Sequence, residues 1–323
     1  MSKMDTSNAE SAPSGRASGR IHLNRMLVPV DLTGLSTFVF EYAIEVAREF
    51  QSEITLLFVV EPPVYPSWGY AHLVKRDHEL RDIALDKLSK MIAETNVPDG
   101  VVIKTAVRCG DATLEISEAA KELNADVLLI ATHGDSDLLH SFLGGTAEQV
   151  VRHAPCPVWT VRKSSFEKSE QPPGFRLKNI LVPTDLSAES SKAIRYAEAL
   201  ASKFGSAVCL AHVVPSVLPT DVNQMAGLLE ESALVDSAKT ELGKWSKANL
   251  QDPGVVKQEV LSGSPYLEIT EAANRLKTDL TIVTTHGQSA LRHFLLGSTA
   301  ERIVRHSRCP VLVVREQERE FVD

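Results

Sequence analysis

The feature that most constrains the fold is a long internal repeat in this chain of 323 residues. Residues 131–162 and 284–315 align without a gap and are identical at 19 of 32 positions. Upstream, residues 26–32 (MLVPVDL) match residues 180–186 (ILVPTDL). The repeated unit is as long as a typical domain and much longer than the repeat of a solenoid. The sequence therefore predicts a duplicated domain.

The repeat also predicts the domain boundaries. We expect a first domain at 24–162, a linker at 163–176 and a second domain at 177–315. The linker is polar and contains Pro-Pro-Gly, which is typical of a connecting segment. Residues 1–23 are rich in Ser, Ala and Gly and lack the apolar core of a signal peptide, so they predict a disordered tail. Residues 316–323 predict a charged tail.

Composition narrows the class of protein. The formal net charge of -8 argues against a general electrostatic attraction to nucleic acid or to an anionic membrane. No stretch approaches the ~18 consecutive apolar residues of a membrane span. The 4 cysteines include no CxxC motif and do not suggest a disulfide framework. We expect a cytoplasmic protein with neither nucleic acid nor a membrane as its partner.

Short apolar runs alternate with longer amphipathic stretches in both copies. The runs are rich in Val, Ile and Leu, which is typical of strands buried on both faces of a parallel sheet. The predicted strands are 26–30, 54–60, 101–107, 127–130 and 158–161, and then 180–183, 208–214, 255–261, 280–283 and 311–314. Apolar residues at helical spacing lie between them. This pattern predicts α/β architecture, with two doubly wound five-stranded parallel sheet domains.

Candidate ligand-binding residues follow the first and fourth strands of each copy. Ligands of such sheets lie beyond the carboxyl ends of the strands. In copy one the candidates are Pro29, Val30, Asp31, Ala131, His133, Gly134, Gly144, Gly145 and Thr146. In copy two they are Pro183, Thr184, Asp185, Thr284, His286, Gly287, Gly297, Ser298 and Thr299. Glycine lets the backbone approach a phosphate, and the amides of a helix start, with a hydroxyl beside them, complete an anion site.

These motifs resemble those of the universal stress protein family in its tandem form. Nucleotide-binding members carry G-x2-G-x9-G-[ST]. Copy one reads Ala131-x2-Gly134-x9-Gly144-Gly145, and copy two reads Thr284-x2-Gly287-x9-Gly297-Ser298. The resemblance implies an adenine nucleotide alpha-hydrolase-like fold with strand order 3-2-1-4-5. It also implies ATP, with or without Mg, as the ligand, with Asp31 and Asp185 in the pockets and Val59 and Val213 against the base.

Both copies depart from the motif at its first glycine. Thr284 is β-branched, so a positive φ would be costly there, whereas an extended backbone would accept it. Ser298 keeps the final hydroxyl of the motif, while Gly145 has no side chain. We therefore expect the second domain to bind the nucleotide better than the first.

Other interpretations of the same residues remain open. Asp31 and Asp185 could each cap the following helix instead of contacting a ligand. His133 and His286 lack a matched nucleophile and acid, which favours a structural hydrogen bond over catalysis. The pairs His153-x2-Cys156 and His306-x2-Cys309 offer only two metal ligands each. This number favours a structural role for these residues, in packing, over metal binding. The sequence thus predicts no catalytic residue and no metal site.

Three classes of function fit this pattern. The first is a nucleotide-binding regulatory module of the stress response, the second is a nucleotide-free interaction scaffold on the same fold, and the third is a slow ATP hydrolase. The chain has no GxxxxGK[ST] motif, and no residue is marked as a general base. These observations favour binding over catalysis.

The last strand of each copy predicts how the domains assemble. Single-domain members of the family commonly dimerise through this strand, and a duplicated chain can make the same contact internally. We expect 158–161 to pair antiparallel with 311–314, which would close two exposed sheet edges and bury Trp159 and Leu312. The sequence also allows the whole chain to form a homodimer.

Overall fold

The computed structural model describes residues 19–61, 73–132, 145–162, 175–215, 224–251, 256–285 and 297–323, with side chains from residue 79 in the second range and from residue 232 in the fifth. Strands and helices alternate through both copies. The first copy comprises β1 (Arg25–Val30), α1 (Gly34–Phe50), β2 (Glu53–Val60), α2 (Leu73–Glu94), β3 (Ile103–Cys109), α3 (Ala112–Glu122), β4 (Val127–Ala131), α4 (Gly145–His153) and β5 (Val158–Val161). The second comprises β6 (Asn179–Pro183), α5 (Ser190–Phe204), β7 (Ala207–Val214), α6 (Gln224–Asn249), β8 (Lys257–Ser262), α7 (Pro265–Arg275), β9 (Leu280–Thr284), α8 (Ser298–His306) and β10 (Val311–Val314).

The strands form one continuous sheet of ten strands in the order β3-β2-β1-β4-β5-β10-β9-β6-β7-β8. Neighbouring strands within each copy run parallel, so each half has the predicted order 3-2-1-4-5. The predicted α/β fold is confirmed. Parallel strands bring their carboxyl ends to the same edge of the sheet, so the ends of β1, β2 and β4 lie together.

The two halves join through antiparallel pairing of β5 with β10. Leu312 lies opposite Trp159, and Val313 lies opposite Val158. The Thr160 hydroxyl adds a hydrogen bond of 3.1 Å to the carbonyl of Val311. The side chains of Trp159 and Leu312 are fully buried. The internal pairing that the sequence predicted is therefore confirmed, and it leaves neither strand as an exposed edge.

Helices cover both faces of the sheet and give the protein two apolar layers. One layer lies beneath α1, α2, α5 and α6, and the other lies beneath α3, α4, α7 and α8. Phe175, which the sequence assigned to the linker, packs into the first layer. Its ring centroid lies 5.4 Å from that of Phe204, 6.0 Å from that of Trp159 and 6.1 Å from that of Phe50. Phe175 packs against the domains, unlike the exposed linker residue that the sequence predicted, because its aromatic ring gains apolar contacts with both domains.

Both chain ends pack against the domains, at residues 19–23 of the predicted disordered tail (1–23) and in the predicted charged tail (316–323). Phe321 is fully buried and packs edge-on against Tyr196, with centroids 4.8 Å apart. Val322 forms an antiparallel bridge with Ile21, and the His22 amide donates to the Phe321 carbonyl at 2.7 Å. The predicted disorder therefore does not extend to residues 19–23, and a few apolar side chains anchor the charged C-terminal tail to the fold.

Charged side chains also hold this C-terminal segment (residues 315–323) in place. The buried Glu318 carboxylate lies 3.1 Å from the Lys192 ammonium and accepts a hydrogen bond of 2.9 Å from the Arg315 amide. Burial raises the pKa of Glu318 to about 7, although Lys192 and the Arg315 amide act in the opposite direction. Arg319 reaches the first domain, where its Nε donates to Asp126 at 2.9 Å. The segment therefore contacts both domains.

Replacing Glu318 should change how stability depends on pH. Its ordinary pKa is 4.5, so between about pH 4.5 and 7 the folded protein retains a proton that the unfolded chain has lost. This group stabilises the fold at low pH, and its contribution falls by about 1.4 kcal/mol per pH unit across that window. We expect Glu318→Gln to remove this component from urea denaturation curves recorded from pH 5 to pH 8. The exposed Glu316→Gln serves as control, and an unchanged pH profile in Glu318→Gln would contradict the assignment.

Truncating Trp159 should test the strand junction. The change Trp159→Ala removes a fully buried indole from the contact with Leu312. We expect the free energy of unfolding to fall by about 3–5 kcal/mol, measured by urea denaturation. Leu114 is 66% exposed on α3, so Leu114→Ala is a control that should change the same quantity by less than about 0.5 kcal/mol. A similar loss in both variants would argue against the junction as a major source of stability.

Candidate functional site

A cavity of about 400 Å³ opens at the carboxyl ends of β1, β2 and β4 in the first domain, within the part of the chain that the structure describes. Strand ends, the first turns of α1 and α3 and the start of α4 form its walls. The lining residues are Pro29, Val30, Asp31, Leu35, Ser36, Val39, Leu57, Phe58, Val59, Glu61, Ala112, Ile116, Ile130, Ala131, Thr132, Gly145, Thr146 and Ala147. The cavity therefore lies where a doubly wound sheet places its ligands.

The cavity brings together most of the residues predicted for the first domain. Those that line it are Pro29, Val30, Asp31, Val59, Ala131, Gly145 and Thr146. The predicted residues His133, Gly134 and Gly144 lie outside the described residues. Helix α4 begins at Gly145, so the residues of its first turn border the cavity directly. The lining residues that the sequence did not predict are mainly apolar, and most of them come from α1, α3, α4 and the carboxyl halves of β2 and β4.

Asp31 is fixed by hydrogen bonds from residues that follow it. Its Oδ1 accepts from the Thr33 amide at 3.0 Å, from the Thr33 hydroxyl at 2.7 Å and from the Ser36 hydroxyl. Burial raises the pKa of Asp31, but the hydrogen bonds from Ser36 and Thr33 outweigh it and hold the pKa below its ordinary value. Thr33, and not Asp31, occupies the N-cap position of α1. The capping alternative is therefore wrong for Asp31, which is an ionised carboxylate at the cavity wall.

The second domain repeats this arrangement around Asp185. Its Oδ1 accepts from the Ser187 amide at 3.1 Å and from the Ser190 hydroxyl at 2.8 Å. Glu189 occupies the N-cap position of α5, so Asp185 does not cap that helix. Sequence reasoning missed Ser36 and Ser190, although a serine five residues after the aspartate recurs in both copies. That recurrence was the signal that could have identified them.

A leucine with positive φ follows each of these aspartates. Leu32 has φ 63° and Leu186 has φ 65°, both in the left-handed region. This conformation is unfavourable for a non-glycine residue by about 1–2 kcal/mol. Each leucine lies between the strand that precedes the aspartate and the helix that follows it. Strain that recurs at the same place in both copies is typical of a functional site, and leucine gives no sequence signal for it.

The remaining predicted residues of the second domain lie at the matching edge. Pro183 ends β6, Thr184 and Asp185 follow it, Val213 lies near the end of β7, and Thr284 ends β9. Neither Ala131 nor Thr284 has a positive φ, because both are strand residues. The backbone penalty considered for Thr284 therefore does not arise. His286 and Gly287 are not among the described residues.

Helix α8 begins close to the end of β9. The Gly297 amide donates to the Thr285 carbonyl at 2.8 Å, and a Cβ on Gly297 would lie 3.0 Å from that oxygen. A side chain at this position would therefore press on the backbone of the strand. Ser298 and Thr299 follow in the first turn of the helix, where both are exposed. Their hydroxyls are available at a helix N-terminus, as the sequence predicted for an anion site.

The His-x2-Cys pairs have structural surroundings. His153 Nδ1 lies 2.9 Å from the Gln149 carbonyl, and the ring of His306 packs 5.7 Å from that of Tyr266. Burial raises the pKa of the Cys156 thiol, and it does the same for Cys309. The described residues contain no group of three or more potential metal ligands from His, Cys, Asp or Glu. In the same part of the chain, no helix is both long and apolar enough to cross a membrane.

Comparison with known proteins decides the family. The profile of the universal stress protein family matches residues 22–162 and again residues 176–315. The chain belongs to the universal stress protein family. It carries two of the family's domains in tandem, which agrees with the internal repeat and with the continuous sheet.

The relatives include proteins that match about half of this chain and proteins that match nearly all of it. A universal stress protein of Methanocaldococcus jannaschii is 36% identical over 150 residues, which cover 44% of this chain and 85% of the relative. One from Mycolicibacterium smegmatis is 26% identical over 301 residues, which cover 90% of this chain and 96% of the relative. The crystal structure of a universal stress protein from Archaeoglobus fulgidus matches with a TM-score of 0.61 and 21% identity, covering 93% of this chain and 99% of that one. The last likeness supports the tandem fold.

Removing the hydroxyl of Ser36 should change the ionisation of Asp31. This hydroxyl is buried, accepts a hydrogen bond of 2.8 Å from the Asp31 amide and donates to the Asp31 carboxylate. We expect Ser36→Ala to raise the pKa of Asp31 and to lower the free energy of unfolding by about 1–2 kcal/mol. NMR titration of the carboxyl group measures the first effect, and urea denaturation measures the second. Ser89→Ala, on the exposed face of α2, should change neither quantity appreciably, and an unmoved Asp31 titration in Ser36→Ala would contradict this account.

Proposed function

We propose that this tandem universal stress protein is a nucleotide-binding regulatory module of the stress response, with ATP as its ligand, alone or with Mg. The observation that carries the proposal is the cavity of the first domain, which lies at the carboxyl ends of β1, β2 and β4. Its volume of about 400 Å³ falls within the usual range for small-molecule sites, about 300–1,000 Å³. The second domain supplies the corresponding residues at the corresponding edge.

The walls of the cavity fit the parts of a nucleotide. Leu57, Val59 and Ile116 offer apolar surface for a base. The first turn of α4, with the Gly145 amide and the Thr146 hydroxyl, offers donors and a positive helix end for phosphate. These features belong to different strands and helices and converge on one space, which supports a ligand site over a turn without a ligand.

The state of Asp31 favours binding over catalysis. A general base needs a pKa near the working pH, whereas hydrogen bonds from Ser36 and Thr33 hold the pKa of Asp31 below its ordinary value. Its Oδ1 is also already engaged by these neighbours. Asp31 is therefore suited to position a ribose or a hydrated cation, and a slow ATP hydrolase remains the weaker candidate.

The second domain is proposed to bind the nucleotide more tightly. Ser298 and Thr299 place two exposed hydroxyls in the first turn of α8, whereas α4 places only Thr146 beside Gly145. Hydrogen bonds to a charged phosphate contribute about 1.5–3 kcal/mol each, so one additional donor corresponds to roughly tenfold in affinity or more.

A matched pair of substitutions tests both parts of the proposal in the full chain. Ala131 and Thr284 occupy equivalent positions at the ends of β4 and β9, so Ala131→Leu should obstruct the first site and Thr284→Leu the second. We expect calorimetric titration with ATP, with and without Mg, to show binding by the unchanged protein. Thr284→Leu should remove the tighter component and Ala131→Leu the weaker one, with circular dichroism confirming that both variants fold.

Two other outcomes would contradict the proposal. Loss of the tighter component in Ala131→Leu would reverse the assigned order of the domains. Absence of heat in the unchanged protein, together with no nucleotide released when freshly purified protein is denatured, would favour the interaction scaffold.

A further inference from the structure

Glu61 is a cavity residue that the sequence analysis did not single out. It follows β2 directly, and its exposed side chain lines the cavity beside the start of α3. Its Oε1 accepts a hydrogen bond of 3.3 Å from the Ala112 amide, the first residue of that helix. A carboxylate can accept about four hydrogen bonds, so this contact leaves most of its capacity for a ligand.

The position of Glu61 gives the cavity two electrically different ends. In the sheet, β2 lies on one side of β1 and β4 lies on the other. Glu61 therefore lies at the end formed by β2 and α3, and the start of α4 with Gly145 and Thr146 lies at the opposite end. The positive N-terminus of α4 attracts phosphate, and the carboxylate of Glu61 repels it. A nucleotide in this cavity would therefore lie with its phosphates at α4 and its base at Glu61.

The surroundings of Glu61 define what it can recognise. The neighbouring cavity side chains Val59, Ile116 and Leu57 have no polar atoms. An ionised carboxylate only accepts hydrogen bonds, so it favours a base that presents a donor. We propose that Glu61 determines base specificity in the first domain by accepting a hydrogen bond from the amino group of the base. This inference rests on the proposed nucleotide site.

The second domain lacks this device, which makes it an internal control. Pro215 follows β7 where Glu61 follows β2, and Pro265 begins α7 where Ala112 begins α3. Neither proline supplies a side-chain acceptor, and Pro265 has no amide proton to hold a carboxylate in place. We therefore expect the two domains to differ in base specificity, although Asp31 and Asp185 accept similar hydrogen bonds.

The test compares ATP with purine riboside triphosphate, which lacks the 6-amino group, by calorimetry on the full chain. In Thr284→Leu, where the first domain binds alone, we expect ATP to bind roughly tenfold more tightly than the analogue, as one charge-assisted hydrogen bond provides. Adding Glu61→Ala should make the two affinities equal, and adding Glu61→Gln, which keeps one acceptor oxygen, should leave a smaller preference. In Ala131→Leu, where the second domain binds alone, Glu61→Ala should change nothing.

The outcomes separate this inference from the proposed function. No binding of ATP by the unchanged protein would overturn both. Binding of ATP and its analogue with equal affinity in Thr284→Leu, or a preference that survives Glu61→Ala, would overturn the role of Glu61 alone. Circular dichroism checks that the Glu61 variants fold, which we expect because the side chain is exposed.

Discussion

The antiparallel pairing of β5 with β10 is the contact on which the rest of the architecture depends. Both strands are short and fully buried in the paired sheet. Without the pairing, each half of the sheet would end in a strand with unpaired backbone groups. Pairing Trp159 with Leu312 turns two such edges into the centre of one sheet. Because both strands belong to one chain, the contact does not depend on protein concentration. The carboxyl edges of the two halves, with their candidate sites, are thereby held in a fixed relation.

Above this junction, charged side chains link the two helices whose first turns border the candidate sites. Arg152 of α4 lies 2.7 Å from Glu148 and 3.1 Å from Glu301 of α8. Arg305 of α8 lies 2.6 Å from Glu301 and 3.9 Å from Glu148. These residues are equivalent in the two copies, so the network has the approximate two-fold symmetry of the sheet. Its side chains are only 16–23% exposed, and because removing charges from water costs free energy, the network links α4 to α8 without implying a large gain in stability.

The parts of the structure that the sequence predicted depend on patterns that span many residues. Strand order and the internal pairing followed from apolar runs that recur in both copies, together with the family resemblance. The packing or backbone conformation of a single residue could not be predicted from such patterns. Phe175 and Phe321 lie in stretches whose composition is polar, so their packing is visible only once the partner surfaces are folded. The left-handed backbone of Leu32 is imposed by the strand and helix that flank it, and leucine has no local preference for it.

Duplication also explains why the two halves differ in their details. A homodimer must use the same residue at both equivalent positions, whereas a tandem chain is free to change one of them. Phe38 of α1 corresponds to Lys192 of α5, and this buried lysine pairs with Glu318 of the C-terminal segment. That segment crosses to Asp126 in the first domain, where the Nε of Arg319 donates a hydrogen bond to the aspartate. The same freedom allows Glu61 after β2 and Pro215 at the equivalent position after β7, so the two candidate sites of an approximately symmetric fold have different side chains at this position.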